Sequence, residues 1–265
     1  MSRDAGSPRS RREFLALASA GPLADWIPFL HRRHISLAGA RFRILRNDYP
    51  RRHYLAIHGD EETAREVLEI HMQAYQGIAY IIESRTRNVP IEGGEIDPNR
   101  MFSGAGAEAS LKSLNPAWDQ PRIAAALATL ERGRTRLVRA LFPAPGGLLV
   151  ALHNNTEAYS VADERPISDS ESIRDPEHPH AFFLCTDPSD FKILAGSFYN
   201  VVLQRQGPRQ DDGSLSRLAA ARGVRYVNLE VERGARDRQQ EMLDWLEWHL
   251  PETPNQRLDG RAYTK

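Results

Sequence analysis

A histidine and a glutamate stand at the end of an apolar run, in an arrangement that suits metal binding. His58 follows the run Leu55-Ala56-Ile57, and Glu61 comes three residues later, where a segment with helical periodicity begins. A buried strand that delivers His58 to a tight turn, with a helix leaving that turn, would direct the imidazole and the carboxylate to one point. Zinc accepts both ligand types and needs a third, and a catalytic site keeps one position open for water. The alternative is an ordinary helix N-terminus, where acidic residues interact favourably with the helix dipole.

A second histidine stands in the same relation to an apolar run. Residues 148–152 read Leu-Leu-Val-Ala-Leu, and His153 follows them directly. Both runs predict buried strands, and ligands of open α/β sheets bind at the carboxyl ends of strands. The sequence therefore predicts that His58 and His153 meet at one site, although either could instead be a structural histidine.

A polar segment between these two histidines suits the binding of an anion. Asp97-Pro98-Asn99-Arg100 lies in a loop after two glycines. Arg100 can bind a carboxylate through two parallel hydrogen bonds, and Asn99 adds a donor and an acceptor beside it. The alternative is the start of a helix, with Asp97 as N-cap and Pro98 in the first helical position.

The elements that must position these residues alternate along the chain. Two short strands between residues 37 and 58, a helix over 61–75 and a strand over 77–82 predict a βαβ unit, which implies parallel pairing. Further along, the pattern predicts helices over 119–141, 187–195 and 237–250, and strands over 148–152, 181–185, 200–203 and 225–232. With 265 residues, 41% of them hydrophobic, the chain suits one large α/β domain, which we place at residues 37–250.

Charge and composition exclude several classes of protein. Lys+Arg and Asp+Glu both number 35, so the formal net charge is zero and no basic excess indicates nucleic-acid binding. A single cysteine, Cys185, excludes an intramolecular disulfide and a zinc site built from several cysteines. No segment approaches the roughly 18 apolar residues of a membrane span, so we expect no stable membrane insertion. His178 and His180 flank a proline, and we interpret them as part of a loop rather than as a second metal site.

Three motifs together resemble those of a known family. The segments His58-Gly59-Asp60-Glu61, Asp97-Pro98-Asn99-Arg100 and Leu152-His153-Asn154-Asn155-Thr156 are similar in order and spacing to motifs of the zinc carboxypeptidase superfamily, closest to its aspartoacylase and succinylglutamate desuccinylase branch. The resemblance spans about residues 53–232. It implies a doubly wound, mixed and mostly parallel sheet flanked by helices. It also implies that His58, Glu61 and His153 bind one zinc ion, and that Asn99 and Arg100 bind the carboxylate of the substrate.

Two further roles in this family have more than one candidate here. The family uses an upstream arginine to polarise the scissile carbonyl, which implies Arg85 or Arg87, with no motif to choose between them. Its general base is a glutamate near the end of a late core strand, where both Glu230 and Glu232 lie. We favour Glu230 because it lies within the apolar run, where burying a carboxylate without a purpose is costly. The alternative for Glu230 is a buried ion pair with Arg225 or with an arginine of the active-site loops.

The resemblance implies a zinc-dependent hydrolase that cleaves an amide bond beside a free carboxylate, in small peptides or N-acylated amino acids. The sequence does not decide between a carboxypeptidase and a deacylase. It departs from the family pattern at Asp60, where the family has asparagine, and Glu62 makes the opening of the site still more acidic. This departure and the unassigned arginine keep a second class open, a non-catalytic protein that binds a carboxylated ligand on the same fold.

The N-terminus bears on the compartment. Arg11-Arg12 precedes Phe14-Leu15 and a short apolar stretch over residues 16–24, a pattern that resembles a twin-arginine export signal. We expect residues 1–28 to be signal and linker, residues 251–265 to be a C-terminal tail, and the protein to be exported to the periplasm. If the N-terminus is instead a surface helix, the protein is expected to be cytoplasmic.

Overall fold

The computed structural model describes residues 33–47, 51–156, 158–205 and 211–250. The predicted export signal at 1–28 and the predicted tail at 251–265 lie outside these residues. The strands are β1 (Arg33–Leu37), β2 (Ala40–Asn47), β3 (Arg52–Ala56), β4 (Gly77–Ile82), β5 (Val89–Ile91), β6 (Gly94–Ile96), β7 (Leu148–Asn155), β8 (Ser170–Ser172), β9 (Phe182–Cys185), β10 (Asn200–Leu203) and β11 (Arg225–Glu232). The α-helices are α1 (Glu62–Ala74), α2 (Gly104–Leu114), α3 (Gln120–Leu141), α4 (Val161–Glu164), α5 (Pro188–Leu194), α6 (Leu215–Ala221) and α7 (Arg236–His249), and 3-10 turns lie at Pro98–Arg100 and Arg165–Ile167.

Nine of the described strands form one mixed sheet, in the order β1-β2-β4-β3-β7-β11-β9-β10-β8. Its four central strands, β4, β3, β7 and β11, are parallel to one another. On the flanks, β2 runs antiparallel to β4, and β9 runs antiparallel to β11. The predicted α/β class with a mixed sheet is therefore confirmed, as is the parallel βαβ unit formed by β3, α1 and β4.

Helices cover both faces of the central strands. Every residue of β3, β4 and β7 is buried, as expected of parallel strands covered on both sides. Neighbouring residues of β3 point to opposite faces. The Tyr54 hydroxyl donates to Oε1 of Glu247 on α7 at 2.6 Å, whereas Leu55 belongs to an apolar cluster that contains Leu130 of α3. A ligand can therefore reach these strands only at their ends and not through either face of the sheet.

Several short elements are absent from the sequence prediction. Where the pattern predicts two strands between residues 37 and 58, the structure also has the edge strand β1, whose sequence Arg-His-Ile-Ser-Leu carries few apolar residues. Helix α2 begins Gly-Ala-Gly, and glycine costs about 1 kcal/mol relative to alanine inside a helix. The start of α2 is instead stabilised by Ser103, whose Oγ accepts a hydrogen bond from the Gly106 N–H at 3.0 Å.

The position of His153 requires a correction. The apolar run predicts a strand that ends at Leu152 and places the histidine beyond it. In the structure β7 continues to Asn155, because β11 remains paired with it up to Glu232. His153 therefore lies inside a strand, and its side-chain direction is set by the pleat.

Among the described residues, no helix is both long and apolar enough to cross a membrane.

Candidate metal centre and its cleft

Two neighbouring parallel strands bring the predicted ligands together. His58 lies just beyond β3, Glu61 immediately precedes α1, and β7 carries His153. The turn between His58 and Glu61 packs closely on a neighbouring segment, since a Cβ atom at Gly59 would lie 2.5 Å from the carbonyl oxygens of residues 84 and 86. The next residue of β7, Asn154, fixes the start of α1, because its Oδ1 accepts a hydrogen bond from the Ala64 N–H at 2.7 Å.

The three side chains converge on one point. Nδ1 of His58 lies 2.7 Å from Oε1 of Glu61, and Nδ1 of His153 lies 3.2 Å from Oε2 of the same carboxylate. The two imidazole rings meet edge to face with 5.1 Å between their centroids. All three residues are buried, and their potential ligand atoms lie within 4.8 Å of one another. Within the described part of the chain, they form the one group of histidine, cysteine or acidic residues with this geometry.

Asp97 fixes the orientation of the first histidine. Its Oδ1 lies 3.0 Å from Nε2 of His58 and also accepts the backbone N–H of Asn99 at 2.7 Å. Because Nε2–H donates to this carboxylate, Nδ1 of His58 is the nitrogen that faces Glu61 and that would give up its proton to bind a metal ion. A carboxylate behind a histidine in this way is typical of metal sites. Two imidazole nitrogens, one carboxylate and this support fit zinc in type and number.

The electrostatics of the group favour a cation. Burial by itself lowers the pKa of His58, but the carboxylates of Glu61 and Asp97 outweigh it and raise the pKa to about 9. Burial likewise raises the pKa of Glu61, and the two histidines overcome that effect, so its carboxylate stays ionised. The pKa of Asp97 falls to about 2 against the effect of burial, chiefly through His58 and Arg87. The carboxylates therefore create a negative potential at the point where a metal ion would lie.

The cleft beside this group has a volume of about 510 Å³. It is open at the carboxyl-terminal edge of the central strands, as expected for an open α/β sheet. Its lining includes most of the predicted site residues, namely His58, Glu61, Arg87, Asn99, Arg100, His153 and Glu230.

The structure separates the two candidate arginines. Arg87 reaches the metal-binding group, with Nη1 3.3 Å from Oε1 of Glu61 and Nη2 3.7 Å from Oδ2 of Asp97. Arg85 points away from the cleft; its side chain is 79% exposed and its nearest acidic partner is Glu62, at 3.8 Å. Of the two, Arg87 is the one placed to contact a ligand in the cleft, although its catalytic role remains a prediction.

Glu230 lies beside His153, its neighbour across the β7–β11 pairing. Its Oε1 accepts from Nδ2 of Asn228 at 3.0 Å, and its Oε2 accepts from Nδ2 of Asn155 at 3.2 Å. Burial raises the pKa of Glu230, which His153 partly opposes and the Glu61 carboxylate reinforces. A buried carboxylate that lines the cleft and has a raised pKa is suited to taking up a proton.

The alternative base and the alternative ion-pair partner of Glu230 both lie outside the cleft. Glu232 is exposed at the end of β11 and does not line the cleft. Arg225, considered as an ion-pair partner of Glu230, lies at the start of the strand. It donates to both oxygens of Asp190, at 2.9 and 2.6 Å.

Asn99 and Arg100 lie on the cleft wall. Oδ1 of Asn99 accepts the backbone N–H of Leu215 at 3.1 Å, so this side chain also anchors the start of α6. Nη1 of Arg100 donates to the Asn99 carbonyl oxygen at 3.1 Å and lies 3.5 Å from Oδ2 of Asp212. The segment Pro98–Arg100 is a 3-10 turn capped by Asp97, so the alternative interpretation as a helix start is correct for the backbone and compatible with a ligand-binding role.

Sequence reasoning missed two charged residues of the cleft wall. Arg217, on the unpredicted helix α6, reaches the cleft and lies 3.7 Å from Asp212. Asp212 lies in a loop before the last core strand, whose position suits a substrate-facing lid and whose polar composition equally suits a plain surface loop. The available signal was Ser214, whose Oγ accepts from the Arg217 N–H and marks a helix N-cap before an apolar stretch.

The extra acids of the His58 turn are paired with arginines. Oδ2 of Asp60 lies 3.0 Å from Nη2 of Arg233, and Glu62 faces Arg85. The departure from the family motif therefore adds an ion pair at the rim of the cleft. His178 and His180 lie in a loop outside the cleft lining, where His180 Nδ1 is 2.7 Å from the Tyr159 carbonyl oxygen.

Comparison with known proteins gives a likeness of fold. No protein-family model matches the sequence, and no curated protein matches it. The structure is similar to a candidate metallopeptidase from Shewanella amazonensis SB2B, with a TM-score of 0.42 and 11% identity over 85% of this chain and 88% of that one. It is also similar to a succinylglutamate desuccinylase/aspartoacylase from Rhodobacter sphaeroides, with a TM-score of 0.43 and 14% identity over 85% of this chain and 67% of that one. At these identities the roles of individual residues rest on the contacts described above.

Proposed function

We propose that the protein is a zinc-dependent hydrolase that cleaves an amide bond next to a free carboxylate. The observation that carries this proposal is the composition of one cleft. It contains a buried His58–Glu61–His153 group, a separate buried carboxylate at Glu230, and guanidinium groups at Arg87 and Arg100.

The metal-binding group is the first part of the proposal. Nδ1 of His58, the carboxylate of Glu61 and Nδ1 of His153 would hold the ion, and Asp97 would keep His58 in the required tautomer. A zinc ion bound there supplies a Lewis acid, which lowers the pKa of water and polarises a carbonyl group.

Glu230 is the proposed general base. It is not one of the three proposed metal ligands, and its two oxygens are held by Asn155 and Asn228 in a fixed position. Its carboxylate would take a proton from the attacking water and deliver it to the nitrogen of the leaving group. The raised pKa of Glu230 favours both steps, since a base works best when its pKa approaches the working pH.

The arginines would position the substrate. Arg87 lies beside Glu61, where it can donate to the oxygen of the scissile carbonyl as negative charge develops on it. Arg100 and the amide nitrogen of the Asn99 side chain would hold the substrate's carboxylate at the other end of the cleft. With the substrate held at its carbonyl group and at its carboxylate, the amide bond would lie against Glu230 in an orientation that favours the reaction.

A cleft of about 510 Å³ suits a small ligand, so we expect short peptides or N-acylated amino acids as substrates. The test is elemental analysis of the purified protein, followed by a hydrolysis screen over both substrate classes. We expect about one zinc per chain, and loss of hydrolysis on chelation with recovery on adding zinc. A protein that binds carboxylated compounds but takes up no metal and hydrolyses none of them would instead be the non-catalytic binding protein.

The carboxylate role of Arg100 has its own test. Arg100→Lys keeps the positive charge but loses the two parallel hydrogen bonds, so we expect weaker substrate binding with zinc content unchanged. The matched comparison is a substrate whose terminal carboxylate is amidated. Wild-type protein that hydrolyses the amidated and free substrates equally well would contradict this role.

A further inference from the structure

The end of the cleft where Asn99 and Arg100 would bind the substrate's carboxylate contains a second arginine and an acid. Arg100 and Arg217 both face this end, and both also line a neighbouring cavity of about 660 Å³. Asp212 lies between them, with Oδ2 3.5 Å from Nη1 of Arg100 and Oδ1 3.7 Å from Nε of Arg217. Both distances are longer than a normal hydrogen bond. Asp212 therefore offsets the positive charge of the two arginines without accepting a hydrogen bond from either.

Arg217 has unused capacity for an anion. Its side chain is only 13% exposed, and its Nη1 is buried without a hydrogen-bond partner among the described residues. Burial lowers the pKa of this guanidinium, and Asp212 is the main group that opposes the effect. A buried donor without a partner is costly, so a ligand oxygen that reached it would be bound favourably.

Asp212 is a fixed part of this site. Its Oδ1 accepts the Ser214 N–H at 2.9 Å. The adjacent Gly213 has φ of +76°, and its carbonyl oxygen accepts the Phe102 N–H at 3.1 Å. A Cβ at Gly213 would lie 2.5 Å from the Arg100 carbonyl oxygen, so the loop packs directly on the segment that carries Arg100. The Ser214 N–H and the packing of this loop therefore hold the carboxylate of Asp212 beside the two arginines.

We propose that Asp212 limits this end of the cleft to a single negative charge, so that the substrate fragment bound there carries one carboxylate. The proposal rests on the proposed function. Among the acids near these two arginines, Asp212 lies in ion-pair range of both, so it offsets one of the two positive charges where the substrate's carboxylate would bind. Arg87 adds no excess because Glu61 and Asp97 face it, and Glu164 and Asp211 add further negative potential near Arg217. A fragment with two carboxylates would meet a fixed like charge.

The experiment measures binding of leaving fragments to the zinc-loaded protein by calorimetry, which needs no turnover. The probes are alanine, with one carboxylate, and aspartate, with two. Wild-type protein is expected to prefer alanine. Asp212→Asn keeps the oxygen that accepts the Ser214 N–H and removes the charge, so the ratio of the two dissociation constants should shift toward aspartate by about tenfold or more.

Asp211→Asn is the matched control, because Asp211 lies on the same loop and lines the neighbouring cavity but not the cleft. It should shift the ratio far less than the change at Asp212. An unchanged ratio in Asp212→Asn, or an equal shift in both variants, overturns the charge limit. If Arg100→Lys nevertheless weakens alanine binding, the carboxylate site stands and only the limit is wrong. If Arg100→Lys has no effect, or neither amino acid binds, the carboxylate site fails as well.

Discussion

Nε2 of His58 lies 3.0 Å from Oδ1 of Asp97, a residue 39 positions further along the chain. This contact joins the two sequence motifs, because Asp97 also caps the turn that carries Asn99 and Arg100. A shift of that turn would therefore move the support of His58. The proposed metal site and the proposed carboxylate site are thus mechanically connected through one side chain.

The first prediction concerns this contact. Asp97→Asn can still accept the Asn99 N–H, but it removes the charge that fixes the tautomer of His58. Loss of such a supporting group typically lowers metal affinity by about 10–100-fold. The measurement is a competition titration with a chromogenic chelator. The control is Asp119→Asn, at another capping aspartate that accepts the Arg122 N–H at 3.0 Å, far along the chain from the site. Equal zinc affinity in the two variants would contradict the supporting role.

The second prediction separates the two arginines that sequence reasoning left open. Arg87→Ala should lower kcat by about 10²–10³, as expected when one donor to a developing oxyanion is removed. Arg85→Ala should leave kcat near the wild-type value, because Arg85 is exposed outside the cleft. Zinc content is measured for both, since Arg87 also contacts Glu61. Equal effects of the two substitutions on kcat would remove Arg87 from the proposed mechanism.

The central fold and the metal-binding group were predictable because their signals are local. Apolar runs mark β3, β4 and β7, and a histidine directly follows two of those runs. Parallel strands end at one edge of a sheet, so two such histidines are expected to meet. The pairing of β11 with β7 also brings Glu230 next to His153. That neighbourhood could be predicted only through the family resemblance, since the strand order is not written in any one segment.

The missed parts depend on contacts between distant segments. Helix α2 begins with glycines, which favour a helix poorly. Gly106 packs against Gly213, so contacts with a distant segment of the chain stabilise this helix. Asp212 belongs to a polar loop and Arg217 to the short helix α6, and only packing on the Arg100 turn brings them into the cleft. The choice between Arg85 and Arg87 depended in the same way on which side chain faces Glu61. Two arginines two residues apart have no distinguishing local signal.

The third prediction concerns the proposed base. Glu230→Gln keeps the size of the side chain and removes its ability to take up a proton. It should lower turnover by about 10²–10⁴ with zinc content nearly unchanged. Glu232→Gln is the matched control on the same strand, and because Glu232 is exposed it should retain activity. The reverse result would move the role to Glu232, and full activity in both variants would mean that the proposed mechanism is wrong.

The fourth prediction concerns the N-terminus, which lies outside the described residues. If Arg11-Arg12 is an export signal, replacing the pair with Lys-Lys should leave folded protein in the cytoplasm. The measurement is fractionation of cells that express the full chain, with replacement of Arg3 and Arg9 by lysine as the control. Continued export of the Lys-Lys variant would reject the twin-arginine interpretation.

The last prediction is that Glu230→Gln stabilises the fold while it lowers activity. Burial raises the pKa of Glu230 above its ordinary value of 4.5. As pH rises past 4.5, the unfolded chain loses this proton before the folded protein does, so the folded state binds more protons and stability falls. The loss of stability is complete above the folded-state pKa, and it is proportional to the difference between the pKa values of the folded and unfolded states.

Glutamine does not ionise and so avoids this loss. The variant should therefore unfold at a higher temperature than the wild type at pH 7, and the difference should shrink as pH falls toward 4. Asn228 can accommodate the new amide, because its Oδ1 is buried without a partner among the described residues and a flip would turn it toward position 230. Thermal unfolding is measured on chelated protein, so that metal binding does not contribute. Glu232→Gln should change stability by no more than about 0.5 kcal/mol. A Glu230→Gln variant that is less stable at pH 7 would indicate that the hydrogen bonds from Asn155 and Asn228 outweigh the cost of burying the charge.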